Sequence, residues 1–332
     1  MNDPDFTGVS SGGSPGFGGV DTGFSHGGAV HGGLETQPHD WVHGLVGGST
    51  GRAQTPGLMS DPDTAALDPI FWLHHTNIDR LWQAWRQSQN SHVDPTDPKW
   101  VKGPASIGER AFVMPMPDGK TWTYTPGEMA DLAKLGYTYD DFSPGVAPAA
   151  IGARIKRLGL AASAGTNMVA DKSVQLVGAS RNPVPVQGTD VRASVEMNQA
   201  ARRRVTASLR AAESPAPDRV FLNLENVRGM SDAVAFHVYV GLPAGAVPDQ
   251  NPDHLAGSIA LFGVRKASMP TEEHGGVGLT FVLEITSIVD ALHLGNAFDV
   301  DSLEVRLVPS KPISAEAEIS IGRISISRQG KP

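Results

Sequence analysis

The chain has 332 residues, 40% of them apolar, with 27 basic and 35 acidic side chains and a formal net charge of −8. Its length suggests about two domains, and the acidic balance gives a nucleic-acid role no electrostatic support. There is no cysteine, which excludes disulfides, thiolate metal sites and cysteine nucleophiles.

No apolar run approaches the ~20 residues of a membrane span. Met1–Phe6 lacks a basic region followed by an apolar core, so no signal peptide is expected and a soluble, cytoplasmic protein is the default expectation. Residues 1–34 are rich in glycine, costly to order, and read as a loop or linker. A first helix is predicted from about Pro38 to Val46, with proline in its first turn and Gly47-Gly48 ending it. A second starts at Asp68-Pro69, where Asp68 suits an N-cap. Its apolar residues Ile70, Phe71, Leu73, Ile78, Leu81, Trp82 and Trp85 fall broadly at helical spacing, and it fades over Gln87–Asn90. Residues 93–148 read as an irregular wrap with one short helix over Pro126–Leu135.

From about Val174 the pattern changes to short, often alternating apolar segments separated by turn residues. They lie over Val174–Val177, Asp190–Val195, Arg219–Leu224, Ala233–Val240, Ser258–Phe262, Leu279–Ile285, Ser302–Leu307 and Glu318–Ile321. Repeated short strands without long helices predict an antiparallel β-sandwich. The fold expected is therefore α+β and multi-domain: a loop or linker over 1–34, a helical unit over 35–150 and a sandwich over 173–332, with the boundary near 150–172.

The chemistry is concentrated in the helical unit. His39 and His43 stand at i and i+4 and share one helical face, and His75 lies on the next helix. Two helices can present three imidazoles to one ion in this way. An all-nitrogen set favours copper over zinc on intrinsic affinity. A lone pair of histidines four apart is equally explained as scattered polar or core residues; three on two adjacent helices weigh against that. His74 adjoins His75, and helical neighbours point about 100° apart, so both are not expected on one ion. Asp79, one turn beyond His75, suits a carboxylate that orients an imidazole or a neighbouring arginine, or a plain helix-surface charge. A zinc-peptidase reading needs glutamate after the first histidine; Asp40 stands there, one methylene shorter.

The run Gly33–His43, then Gly57-Leu58-Met59, then Asp68-Pro69-Ile70-Phe71-Trp72-Leu73-His74-His75-Thr76-Asn77-Ile78-Asp79-Arg80-Leu81-Trp82, resembles the second copper site of the tyrosinase, catechol oxidase and hemocyanin family. The resemblance covers about residues 17–90 and is most specific over Asp68–Trp82. It implies a helical copper-site fragment in which His39, His43 and His75 hold the second copper and His74 matches a neighbouring histidine that is not a direct ligand. It also implies that Phe71 packs beside the imidazoles, Met59 lies on the loop at the substrate mouth, Gly44 shapes phenol access and Glu35 positions a water near the substrate hydroxyl. Tyr137-Thr138-Tyr139-Asp140-Asp141 resembles the family's tyrosine motif. The strands after 173 resemble a C-terminal sandwich that can shield the copper pocket.

The implied activity is oxidation of phenols or catechols to o-quinones by dioxygen, with copper as cofactor. Two departures qualify it. Asp40 stands where hydroxylating members often carry asparagine; it could accept a phenolic proton or simply form an ion pair. The three histidines of a first copper site are also not evident. Only His26 and His31 precede His39, while His92, His237, His254, His274 and His293 are scattered. The expectation is a half-site, with the first copper's helices in a longer polypeptide or in a partner chain. The alternatives are a copper-binding or oxygen-carrier-like protein without turnover, and a structural remnant whose apolar helix faces invite association.

Overall fold

A computed structural model describes residues 3–9, 12–21, 30–50, 55–88, 92, 94–143, 173–210, 218–270, 275–295, 297–298 and 301–330. The expected boundary at 150–172 lies outside the described residues, as do His26 and His274.

The helical part is short. A kinked turn over Glu35–Asp40, broken at Gln37 (φ −150°, ψ 123°), runs into helix α1 (Trp41–Gly47). Gly48 closes α1 with a φ of 53°, the left-handed region that glycine tolerates. Helix α2 (Pro69–Arg86) starts where its sequence demands, with the Asp68 carboxylate accepting the Ile70 N–H at 2.9 Å. A small ladder joins β1 (Ser49–Thr50) to β2 (Thr55–Pro56). The predicted irregular wrap contains helix α3 (Pro98–Lys102), a hairpin of β3 (Phe112–Pro115) and β4 (Thr121–Tyr124), and helix α4 (Leu132–Leu135).

The C-terminal part is one large sheet. Its strands are β5 (Val174–Ala179), β6 (Val184–Pro185), β7 (Val191–Met197), β8 (Arg219–Arg228), β9 (Ala235–Val240), β10 (Leu255–Ala260), β11 (Leu279–Glu284), β12 (Ser302–Pro309) and β13 (Ser320–Gln329). They run in the order β10-β9-β12-β7-β5-β13-β8-β11, with β6 beside β13, and every pair is antiparallel. The two-sheet sandwich is therefore corrected to a single sheet that curls until its edges nearly meet. A Cβ on Gly257 of β10 would lie 3.0 Å from the Leu283 side chain of β11. Alternation in sequence is the same for a sandwich and a barrel; the curl comes from strand twist and from bulges at Leu255/Gly257, Leu279/Phe281 and Ile326/Ser327.

Inside lies a continuous apolar core that includes Leu222, Leu224, Phe236, Val238, Ile259, Phe281, Val305 and Ile324. Burying each such side chain stabilises by roughly 1.5–3 kcal/mol. Two helices were not foreseen here: α5 (Gln199–Arg210) and α7 (Thr286–Leu294), with the shorter α6 (Val264–Ser268) between them. Helix α5 adds only a narrow stripe, Ala201, Val205 and Leu209, to the core. So thin a stripe hides among its arginines in a sequence scan.

The glycine-rich start is loop, as composition implies, but its described residues are anchored at both parts. Phe17 stacks on Trp85 of α2 (4.7 Å, 10°), and the Trp85 indole N–H donates to the Asp3 carbonyl. Ser14 N–H donates to Gln329 Oε1 of β13, and Val30 bridges in parallel to Thr280 of β11. Among the described residues, no helix is long and apolar enough to cross a membrane.

Candidate metal centre

Where the Glu35–α1 segment crosses α2, four imidazoles meet. His39, His43, His74 and His75 each offer one ring nitrogen, and these atoms lie within 4.8 Å of one another. Ring centroids are 4.6 Å apart for His39 and His43, 5.2 Å for His39 and His75, and 5.6 Å for His43 and His75. His43 is fully buried and His74 nearly so.

Hydrogen bonds behind the rings fix their orientation. The His43 Nδ1–H donates to the Met59 carbonyl at 2.6 Å, and the His39 Nδ1–H donates to Asp40 Oδ1 at 2.9 Å. A carbonyl and a carboxylate only accept, so both rings carry their proton on Nδ1 and expose a lone pair on Nε2. His43 Nε2 lies 3.3 Å from His75 Nε2. Two lone pairs at that separation repel unless a proton or a cation lies between them. Phe71 stacks on His75 at 3.9 Å and 26°, holding that ring from α2.

At His43, His74 and His75 burial favours the neutral ring. Burial, then the charge of His39, pushes His74 and His75 down to about 4, and burial also lowers His43. Neutral imidazoles are the form that binds metal. Thiolates are excluded, and the donor set is all nitrogen, which suits copper. The residues present therefore fit a copper ion.

His74 is closer to the others than its position beside His75 predicts. The turn before α1 lies across α2, so neighbouring side chains flank it: His74 is 5.4 Å from His39 and 5.1 Å from His43 by centroid. His74 hydrogen-bonds the His39 backbone, while its Nε2 is buried without a hydrogen-bond partner.

The remaining sequence-predicted residues take varied places. Asp40 is 1% exposed, and it sits behind the cluster with one oxygen on His39 and the other on His31. His31, read as part of a featureless glycine-rich stretch, donates Nδ1–H to Asp40 Oδ2 at 2.6 Å. Burial works against charge on His31, but Asp40 by charge and hydrogen bond, with Glu35 by charge, carries it up to about 9. The same pairing outweighs burial at Asp40 and holds its carboxyl below the usual range. Glu35 is exposed and accepts the Gly32 N–H at 2.8 Å. Met59 is wholly buried, so its side chain lies under the loop and its carbonyl does the holding. Gly44 is covered rather than open: a Cβ there would lie 2.9 Å from Ala260 Cβ at the end of β10. Asp79 orients no imidazole; its Oδ2 accepts the hydroxyls of both Tyr137 and Tyr139. Next to it, Arg80 donates to the carbonyls of Asp141 and Ser143. Together they clamp the 137–143 segment onto α2.

Sequence reasoning missed Phe262. It follows β10, and its ring stacks on His43 at 4.1 Å and 22° and stands edge-on to His39 at 5.7 Å. No periodicity marks it, because its partner is far away in the chain.

The histidine cluster between the Glu35–α1 segment and α2, beside a curled antiparallel sheet, is a group of side chains that could hold a metal ion. A family model described as the common central domain of tyrosinase matches residues 8–88, and a domain of unknown function (DUF7868) matches residues 173–329. Tyrosinase HcTyr1 of Hahella sp. (strain CCB-MM4) is 31% identical over 326 residues, covering 98% of this chain and 62% of the relative. The chloroplastic polyphenol oxidase of Malus domestica is 28% identical, covering 84% of this chain and 44% of the relative. Among solved structures, a recombinantly expressed latent aurone synthase (polyphenol oxidase) superposes with a TM-score of 0.53 at 19% identity, over 91% of this chain and 53% of that one. Latent apple tyrosinase gives 0.51 at 22% identity, over 90% and 57%. The family-model match, these relatives and the structural neighbours support the tyrosinase and polyphenol oxidase family, which is copper-dependent. The chain spans 44% to 62% of the length of these relatives.

Proposed function

We propose that this chain contributes the second-copper half of a phenol- or catechol-oxidising site, with His39, His43 and His75 as the ligands. The observation that carries the proposal is the convergence of His43 Nε2 and His75 Nε2 to 3.3 Å beside His39. Bound copper supplies the redox chemistry by which dioxygen oxidises a phenol or catechol to an o-quinone. The chain's own residues orient the imidazoles through Met59 and Asp40, stack Phe71 on His75 and exclude water from His43. His74 supports the turn from behind by bonding the His39 backbone, with Glu35 at the exposed rim of the same turn.

A second group of three metal-ligating side chains is not present among the described residues. We propose that a further histidine-bearing helical segment, in a longer polypeptide or in a partner chain, completes the site. The surface beside the cluster suits such a segment: Leu67, Trp72 and Leu73 are 72%, 63% and 70% exposed. Contiguous exposed apolar side chains of this kind mark an interaction surface. The proposed units remain a glycine-rich lead over 1–34, a copper-site unit over 35–150 and a shielding unit over 173–332.

Titration of the purified chain with Cu(II) tests this. The expected result is one copper per chain, with imidazole nitrogens in its paramagnetic resonance spectrum and no catechol oxidation. Failure to bind copper sinks the site, and strong catecholase activity of the chain alone sinks the half-site reading.

Phe262 favours a second reading in which the pocket binds copper without turnover, as a carrier or a latent enzyme. The ring covers one face of His43, so it would narrow the access of a substrate to that side of the cluster. Proteolysis within 150–172, followed by a catechol assay on the completed two-copper protein, separates the two readings. A latent enzyme gains activity; a carrier gains none.

A further inference from the structure

Resting on the reading that His39 is a copper ligand, we propose that His31 is a positioning residue for that ligand, acting through Asp40 and held in place by the barrel. The two ring N–H groups of His31 and His39 point at one carboxylate. His31 Nδ1–H meets Asp40 Oδ2 at 2.6 Å, and His39 Nδ1–H meets Asp40 Oδ1 at 2.9 Å. Asp40 is 1% exposed, so water does not take the place of either donor.

The two donors arrive at different atoms, one on each side of the carboxyl group, so this geometry asks for an acceptor at both positions. Aspartate supplies both; asparagine has one acceptor oxygen and an NH2 that only donates. His31 therefore explains why this buried position carries aspartate. With asparagine there, the amide oxygen would serve one histidine and the amide N–H would face the other. If it faced His39 Nδ1, the ring proton would move to Nε2 and occupy the lone pair that the metal needs.

The barrel holds His31. Its backbone N–H donates to the Thr280 carbonyl at 3.1 Å, Val30 bridges to Thr280, and its ring stands edge-on to Phe281 at 5.1 Å. Thr280 and Phe281 both belong to β11. A line of contacts thus runs from β11 through His31 and Asp40 to His39. In this geometry the barrel covers the cluster through Phe262 and also tunes one of its ligands from behind.

The test reads His39 before any metal is added. Nitrogen-15 histidine spectra of the metal-free chain, assigned with His39→Gln, report which ring nitrogen carries the proton. Wild type is expected to show His39 as the Nδ1–H tautomer. Asp40→Asn is expected to shift it toward Nε2–H and to weaken Cu(II) binding about 10–100-fold, the usual effect of losing a partner behind a ligand. The double variant His31→Leu/Asp40→Asn frees the amide to turn its oxygen to His39, and is expected to recover both the tautomer and most of the affinity. A variant pair that leaves Asp40 intact repeats the test. His31→Gln keeps a donor for Asp40 and is expected to bind copper nearly as wild type, whereas His31→Leu is expected to bind about 10-fold more weakly. Unchanged tautomer and affinity in Asp40→Asn, no recovery in the double variant, or equal effects of glutamine and leucine at 31 overturn the proposal. A wild-type chain that binds no copper instead overturns the ligand reading, while the tautomer measurement still decides the role of His31.

Discussion

Phe262 lies flat against His43, 4.1 Å away and 22° from parallel, and it reaches there from the turn between β10 and α6. A buried histidine of the cluster in the helical part is thus covered by a ring that follows strand β10. Access to the cluster becomes a property of how the two parts pack.

Phe262→Ala is expected to speed Cu(II) uptake, and its extraction by a chelator, at least several-fold in stopped-flow measurements. The half-buried ring makes the stability cost about 2 kcal/mol, below the usual range for a fully buried phenylalanine. Unchanged rates would show that Phe262 does not control entry.

Gly44 brings α1 close against β10, with 2.9 Å between a built Cβ and Ala260 Cβ. Gly44→Ala gains helix propensity of about 1 kcal/mol but overpacks the contact by about 2 kcal/mol. The expected net loss is about 1 kcal/mol in denaturant unfolding. Ala260→Gly in the same chain should abolish it, since that removes the opposing methyl group.

Arg265 joins the barrel to the loop that holds His43. Its Nη2 donates to Asp61 at 2.8 Å and its Nε to Asp232 at 3.3 Å. Asp232 is 2% exposed; burial raises its pKa, and Arg265 works against the rise. Arg265→Met leaves that carboxylate buried and without its cation. We expect a loss of about 3 kcal/mol near pH 7, at the low end for a broken buried pair because Arg265 is partly exposed. The sign with pH follows from the raised value. Ionisation of Asp232 costs stability as pH rises above the ordinary carboxylate range, and more so without Arg265. Melting temperatures of the variant and wild type should therefore converge as pH falls toward 4.5.

Asp79 accepts two tyrosine hydroxyls at once. Burial first, then the Asp79 bond and charge, pushes Tyr137 up to about 12, and Tyr139 shifts upward for the same reasons. Asp79→Ala is expected to bring both phenols down toward 10 in an alkaline absorbance titration. It should also cost about 2 kcal/mol and make the 137–143 segment more sensitive to proteases. Tyr139→Phe alone should cost about half as much.

Much of the helical site is legible without coordinates because its signals are local. Asp68 caps α2 as its sequence indicates, and His39 and His43 share a face because four residues make about one helical turn. The strands after 173 are likewise legible as strands. Their closure into one curled sheet is not, because alternation reports which residues face inward and says nothing about where the edges meet. Helix α5 is lost for a related reason: three buried apolar positions among four arginines make too weak a stripe.

The sequence by itself determined the chemistry on offer: three imidazoles on two adjacent helices, no thiols, a capped second helix and a tail of short strands. Tertiary structure alone decided the contacts of His31, Gly44, Met59 and Phe262. Each meets a residue that no local pattern connects to it. His31 reaches Asp40 only because β11 carries it there, and Phe262 reaches His43 only because the barrel packs β10 on α1. Local periodicity encodes which face a side chain takes; which distant face it meets is set by packing of the whole chain.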